Sequence, residues 1–510
     1  MNDARRAQLA RAATVVMVAY VISRVLGLGR EIIIGNQFGT SRELDAYLAA
    51  FRIPDLIFQL VAGGALASAF IPTFTGYLTR GDERQAWRLA SSIINVVLLV
   101  LTTCAAVAAL FAPLLVARVV VPGFSPEDQA LTVRLMRIML VAPIIFGVSG
   151  VVMGILNSFQ HFLLPALAPA IYNLSIIGGA ILLAPWVGVY GLAVGVVVGA
   201  VLHLLSQVPE LLRKGMVYQP LFDSTHPGVR EVGRLMVPRM LGLATVQINF
   251  LVNTYLASRL VGGSLAALNY AWMLMLLPQG IFAMAIATAA FPTFSELAAR
   301  GRLIELRGAL SETLRLTLYL AIPASVGLIV LSEPIVELLL ERGRFDPSST
   351  AAVAWALQFY ALGLCAHSAL EIVTRAFYSV HDTRTPVAIG VCAMALNITL
   401  SVLLIGPLVH GGLALANSVA TVIETTVLLV ILRGRLRGVD GHDLLSSVGK
   451  TGLAAIVMGL GVSWYAAWTA GAHVLVRGGG SIALGAALFL GVSFGLRSQE
   501  LGILRGLLPK

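Results

Sequence analysis

Long apolar runs broken by short polar punctuation fill the chain from end to end. A membrane-spanning helix needs roughly 20 predominantly apolar residues. Breaking the chain at its charged, Gly-rich and Pro-rich points leaves fourteen such runs. They fall at 12–34, 44–75, 91–117, 129–157, 165–185, 190–212, 235–258, 265–296, 316–340, 350–378, 386–406, 412–432, 451–469 and 481–496. The pattern predicts an all-α polytopic membrane protein with fourteen transmembrane helices. The second and eighth runs are long and hold Pro54 and Pro278, which predicts a kink in each. The start is basic and then apolar, with Arg24 inside the run and no small-residue cleavage site, so it reads as a retained first helix.

A shift of about 221 residues superimposes the first part of the chain on the second. Ala69-Phe70-Ile71-Pro72-Thr73-Phe74 matches Ala289-Ala290-Phe291-Pro292-Thr293-Phe294, and Arg80-Gly81 matches Arg300-Gly301. Pro113 matches Pro334. Phe124 and Pro126 match Phe345 and Pro347, Pro165 matches Pro386, and Gly191-Leu192-Ala193 matches Gly412-Leu413-Ala414. Two six-helix lobes follow, 1–221 with helices 1–6 and 222–440 with helices 7–12. A pair of helices, 13 and 14, occupies 441–510. An even helix number gives both copies one orientation, a parallel repeat of the kind that transporters use to expose a substrate to each side in turn. Duplication alone also occurs in channels, so transport is an expectation and not a consequence of the repeat.

Composition and charge narrow this picture. Hydrophobic residues make up 58% of 510 and charged residues 12%, against about 25% charged in a soluble domain. The net charge of +10 arises from loops, so nucleic acid is not implied. With the N-terminus inside, Lys and Arg concentrate in the segments on the N-terminal side of the membrane. The other side holds only Arg42, Arg118, Arg259, Arg342, Arg344 and Arg477. That bias fits an even span count with both ends cytoplasmic. Cys104, Cys365 and Cys392 lie in apolar runs without metal or disulfide spacing. No P-loop, HExxH or GxSxG stands in a plausible context, so no enzyme and no cofactor are expected.

Seven arginines remain inside spans: Arg24, Arg30, Arg52, Arg134, Arg137, Arg239 and Arg375. Each costs at least ~2.5 kcal/mol in lipid unless it has a partner or a wet cavity. At a ~1.5 Å rise per residue, Arg24 and Arg52 lie about 12–15 Å from the outer end of their helices, and Arg134 and Arg137 about 7–12 Å. Glu31, Asp45 and Asp55 are near in sequence and are candidate ion-pair partners. Clustered guanidinium groups suit a diphosphate, so an anionic substrate is expected. Arg30, Arg134 and Arg137 are equally able to reach the outer interface as anchors. Arg239, Glu371 and Arg375 are candidates for an inner gate, with Glu371 and Arg375 an i,i+4 pair whose other reading is a structural ion pair. Asn157, Asn173, Asn249, Asn253, Asn397 and Asn417 read as interhelical hydrogen-bonding groups. The histidines show no relay pattern.

Ser23-Arg24-Val25-Leu26-Gly27, Arg30-Glu31, Asp45-Ala46-Tyr47, Pro54 and Ser68-Ala69-Phe70-Ile71-Pro72 resemble the opening of the MurJ (MviN) lipid II flippase family. Phe377-Tyr378-Ser379-Val380-His381-Asp382-Thr383-Arg384-Thr385-Pro386 is close to a second pattern of that family. The resemblance spans essentially the whole chain. It implies a member of the multidrug/oligosaccharidyl-lipid/polysaccharide exporter superfamily that moves lipid-linked peptidoglycan precursor from the cytoplasmic to the outer leaflet of the bacterial inner membrane. It implies a cationic cavity, with Arg24, Arg30 and Asp45 carried over as cavity residues, and a groove for the polyprenyl tail on helices 13 and 14. Arg52 stands where some members have Lys, and Glu31 where many have Asp. Phe58-Gln59, Gly63 and Met273 stand where many members have charged residues. The expected partners are therefore lipid II or a similar polyprenyl-diphosphate lipid and the bilayer. A monomer near cell-wall synthesis proteins is the expected working form. A Na⁺ gradient or the membrane potential would drive it, with Asp382 a weak cation-site candidate. Flipping of another polyprenyl-linked oligosaccharide is the second reading. A multidrug or cation exporter is the third, because such an exporter wants buried carboxylates. A non-transporting scaffold is the reading from another class.

Overall fold

In the computed structural model, residues 3–223, 225–436, 438 and 441–502 are described, without the side chains of 3–16, 20, 64, 65, 67, 238, 239, 241, 242, 245 and 442. Every regular element among the described residues is helical. The helices form two compact units, Met1–Gly263 and Ser264–Lys510.

Unit 1 contains α1 (Asp3–Phe38), α2 (Arg42–Ala50), α3 (Arg52–Val61), α4 (Gly64–Thr79) and α5 (Glu83–Leu110). It continues with α6 (Pro126–Ser158), α7 (Leu163–Val187), α8 (Tyr190–Arg213) and α9 (Pro227–Ala257). Unit 2 contains α10 (Ser264–Ala299), α11 (Leu303–Val330), α12 (Ser332–Leu340) and α13 (Pro347–Ser379). It ends with α14 (Arg384–Leu408), α15 (His410–Arg435), α16 (Gly441–Trp468) and α17 (Leu475–Gly495).

Eleven helices among the described residues are long and apolar enough to cross a membrane. The other three expected spans fall on α1, on α9 and on the α2–α3–α4 series. The second span is broken as well as kinked. Phe51 keeps helical dihedrals (φ −72°, ψ −22°) and accepts the Asp55 N–H at 2.9 Å, so the first interruption is the expected kink at Pro54, whose missing N–H leaves one intrahelical bond unmade. The break lies at Ala62–Gly63. A Cβ on Gly63 would stand 2.6 Å from the Gln59 carbonyl oxygen, so the chain turns there only without a side chain. Pro278 leads into a π-helical turn over Gln279–Ala283 that absorbs the lost hydrogen bond.

The repeat is written into the helix boundaries. Helix α5 (Glu83–Leu110) and α11 (Leu303–Val330) both run 28 residues. Helices α6 and α13 start at Pro126 and Pro347, each behind a side-chain cap: Ser125 Oγ accepts from Asp128 N, and Asp346 Oδ1 accepts from Ser349 N. They end at Ser158 and Ser379, and the next residues but one, Gln160 and His381, take the same left-handed turn at φ 58° and 60°. Gly188 and Val409 share a second positive-φ turn at 59° and 53°.

Packing within each unit follows the apolar faces. Leu306, Leu310 and Leu314 of α11 close on Ile372, Val373 and Phe377 of α13 and on Leu428 and Leu432 of α15. Helices α16 and α17 pack on α11 through Met458, Val462 and Phe489 against Tyr319. Helix α9, the opening helix of the second sequence copy, packs on α3 and α4 and lies within unit 1.

Candidate functional site

Arg30, on α1, is held by a neighbour on its own helix and by one on α7. Its Nε and Nη2 both donate to Glu31 Oε1, at 3.1 and 2.5 Å, and its Nη1 donates to Asn173 Oδ1 of α7 at 3.0 Å. Asn173 Nδ2 in turn donates to the Ser23 carbonyl at 3.3 Å. One amide therefore reads two turns of α1 and fixes the rotation of that helix against α7. Tyr47 and Tyr172 lie beside the guanidinium. The paired charges sit mostly out of solvent, with side-chain exposures of 26% and 15%, the condition under which an ion pair needs its extra hydrogen bonds.

Arg52 meets α9. Its Nε donates to Thr254 Oγ1 at 2.8 Å, and its guanidinium stands 5.5 Å from the centre of the Phe250 ring. One turn on, Asp55 Oδ2 accepts from Gln247 Nε2 at 2.9 Å. Positions 52 and 55 of α3 thus meet positions 254, 250 and 247 of α9, one helix face against another. Asp45 Oδ2 accepts the Gly263 backbone N–H at 2.6 Å, which ties α2 to the end of the loop after α9. Glu31 takes the expected place beside an arginine, with Arg30. Asp55 binds a neutral amide.

Arg24 is exposed on α1, on a different face from the Ser23 and Arg30 contacts with α7. Arg134 and Arg137 do not converge with Arg30. They share an exposed stripe of α6 with Val141. Arg134 lies 6.0 Å from the Tyr190 ring centre, and Arg137 Nε donates to the Ala109 carbonyl at 3.0 Å, near the end of α5. The buried face of α6 is formed instead by Leu135, Met136 and Met139. The exposed stripe accommodates the anchoring alternative for these two arginines.

In unit 2, Arg375 Nη1 donates to Glu371 Oε2 at 3.0 Å and its Nη2 to Thr288 Oγ1 at 3.4 Å, joining α13 to α10. The side chain of Arg239, the third gate candidate, lies outside the described residues. Asp382, the cation-site candidate, is a capping group. Oδ1 accepts the Arg384 and Thr385 N–H groups at 3.0 Å, and Oδ2 accepts from the Thr385 hydroxyl at 2.6 Å and from Arg435. These donors, the Thr385 hydroxyl foremost, pull the carboxyl down to about 2. Among the described residues no group of three or more potential ligands surrounds a metal position, so the carboxylate is already neutralised by protein.

Two buried features escaped the arginine search. A cavity of about 420 Å³ lies within unit 1, walled by α3, α6, α7 and α8. Asp55 and Tyr172 line it, so it adjoins the Arg30 cluster, and so do Phe58, Gln59 and Gly63, three of the positions where family members carry charge. The other feature is Glu424, midway along α15, which lies against Gly390 of α14. Glu424 is legible as an acid inside an apolar run, because a charge of either sign in a span marks a site.

The fold is one that transporters of the MOP superfamily share. An inward-facing multidrug resistance MATE transporter of that superfamily matches with a TM-score of 0.71 over 83% of this chain and 98% of its own, at 16% identity, a likeness of fold alone. The family described as Lipid II flippase MurJ matches residues 34–477. A lipid II flippase MurJ of Burkholderia cenocepacia is 33% identical over 424 residues, 81% of this chain and 82% of that relative. A probable one of Bdellovibrio bacteriovorus is 32% identical over 470 residues, 90% and 89%. A solved MurJ structure in an inward closed conformation has a TM-score of 0.81 at 26% identity, covering 94% of this chain and 98% of that one. The chain belongs to the MurJ lipid II flippase family, and it is a bacterial multi-pass membrane protein.

Proposed function

We propose that this protein carries lipid II from the cytoplasmic to the outer leaflet by alternating access, with both termini cytoplasmic. The family match over residues 34–477 carries the reading. The concentration of span arginines in the first copy supports it on chemical grounds. A diphosphate in hydrocarbon is prohibitively costly, whereas the polyprenyl tail is at home there, so the protein need shelter only the headgroup. Arg24 and Arg52 are assigned to the diphosphate, because guanidinium groups bind phosphate oxygens bidentately and keep their charge. Arg30, Glu31 and Asp45 shape the surrounding wall. Glu371 and Arg375, an ion pair along α13 whose arginine also donates to Thr288 of α10, form a latch at the inner side. The working unit is a monomer driven by membrane potential or a Na⁺ gradient, without a bound cofactor.

Leaflet accessibility of labelled lipid II in proteoliposomes is the decisive measurement, and equal accessibility with and without the protein rejects the reading. In a flippase-depleted strain, Arg24→Ala is expected to lose complementation at unchanged abundance. Retained complementation removes Arg24 from the diphosphate site. A second substrate, another polyprenyl-diphosphate oligosaccharide, is favoured by the uncharged Phe58, Gln59 and Gly63 on the unit 1 cavity and by Met273, half-buried on α10. Proteoliposomes loaded with such a lipid and with lipid II in parallel separate the two.

A further inference from the structure

The unit 1 cavity has a chemistry opposite to that of the arginines around it. Its volume of about 420 Å³ is within the range of roughly 300–1,000 Å³ typical of small-molecule sites. Aromatic rings build much of its wall: Phe58 and Phe146 lie 5.6 Å apart, and Phe146 and Tyr172 5.0 Å apart, between ring centres. No lysine or arginine lines it, and Asp55 is the one carboxylate that does. The partner of that carboxylate is the neutral Gln247 amide on Oδ2. Among the described residues it forms no ion pair, although a carboxylate within a span ordinarily finds a counter-charge.

A second polar group faces the same space. His203 is only 7% exposed and lines the cavity. Gln207 Nε2 donates to Ser149 Oγ at 2.9 Å, and among the described residues His203 Nδ1, at 2.7 Å, is the acceptor within reach of the Ser149 hydroxyl hydrogen. The neutral ring then holds its hydrogen on Nε2. That N–H has no acceptor among the described residues, and a buried donor without one is costly. Phe146 packs on the ring edge-on at 5.2 Å, which fixes its orientation.

We propose that this cavity is a binding site for a lipophilic organic monocation. The ligand's charge lies against the open oxygen of Asp55 and the aromatic faces, and its apolar body fills the space among Phe51, Phe58 and Phe146. A hydrogen-bond acceptor at its far end meets His203 Nε2. Cation–aromatic attraction strengthens where water is excluded, and the ligand supplies the counter-charge that Asp55 lacks. The site is separate from the headgroup residues and does not rest on the flippase reading.

The test uses the full-length protein in lipid nanodiscs with radiolabelled tetraphenylphosphonium, counted by equilibrium dialysis against empty nanodiscs. Triphenylphosphine oxide serves as the neutral comparator. Saturable binding of the cation is expected, at least tenfold tighter than that of the neutral compound. Asp55→Asn, which keeps the shape and removes the charge, is expected to weaken the cation at least tenfold and leave the neutral compound unchanged. Gly150→Leu provides the second variant: a Cβ there meets the Ala62 carbonyl oxygen at an ordinary 3.6 Å, and the rest of the side chain occludes the cavity, so binding is expected to vanish. No saturable binding of the cation, equal binding of the neutral compound, or undiminished binding in Gly150→Leu overturns the proposal. So does unchanged cation affinity in a folded Asp55→Asn protein.

Discussion

Replacing Arg30 with glutamine removes the cation from a carboxylate that has no other place to go. Glu31 Oε1 accepts two of the three Arg30 hydrogen bonds, at 3.1 and 2.5 Å, and its side chain is 15% exposed. Breaking a fully buried pair costs about 3–5 kcal/mol, and an exposed pair is worth about 0–1 kcal/mol. At these exposures the intermediate value of about 2–3 kcal/mol applies to Arg30→Gln. Glu31→Gln leaves Arg30 its bond to Asn173 Oδ1 at 3.0 Å, so about 1–2 kcal/mol is expected there. The double variant has no stranded charge, and the coupling between the two sites is expected at about 1–2 kcal/mol. At roughly 2–4 °C per kcal/mol, Arg30→Gln lowers Tm by about 4–12 °C. Thermal unfolding of the detergent-purified protein, followed by tryptophan fluorescence, measures all four corners of the cycle. If the double variant falls by the simple sum of the single changes, the pair is not coupled and the reasoning fails.

Asp382 gives a pH signature outside the membrane spans. Its folded-state value of about 2 lies below the ordinary carboxylate value of about 3.9, so its stabilisation is complete above pH 4 and is lost as pH falls through 2. Asp382→Asn should therefore be less thermostable than the parent at pH 7, and the gap should close on acidification; a gap that persists at pH 2 contradicts the capping role. Val409 holds φ 53°, ψ −131°, a conformation in which its counterpart is Gly188 at φ 59°, ψ −142°. Such strain costs about 1–3 kcal/mol, so Val409→Gly is expected to raise Tm by a few degrees, and a lower Tm refutes the strain. Arg134→Ala and Arg137→Ala, on the exposed stripe of α6, are expected to retain complementation in the depleted strain, and loss in both would return them to the headgroup site.

The repeat was legible because its punctuation is chemical. Ser-Pro at 125–126 and Asp-Pro at 346–347 both cap and start a helix, so the same residues that align in sequence align in structure. The pairing of Glu31 with Arg30 was also legible, being local. Asp45 and Asp55 were not. Both stand within a few turns of arginines in the sequence, yet one caps the Gly263 amide and the other takes the Gln247 amide. Their partners lie 218 and 192 residues away, where no local pattern reaches. The stripe that Arg134 and Arg137 share was not legible for another reason. Depth along a helix is readable from residue count, but rotation about its axis depends on which face the neighbours bury, here Leu135, Met136 and Met139.

Helix α3 is a strut only ten residues long between a kink and a break in the chain. One end carries Arg52 to α9 and the next turn carries Asp55 into the cavity. A rigid piece with a pivot at each end cannot move one of these groups without the other. Any occupant of the cavity that binds two settings of this strut unequally must shift the balance between them. By thermodynamic reciprocity, whatever loosens or tightens the hold of α3 on α9 changes that occupant's affinity by the same factor. The interrupted second span thus links the hold of Arg52 on α9 to the occupancy of the cavity beside Asp55.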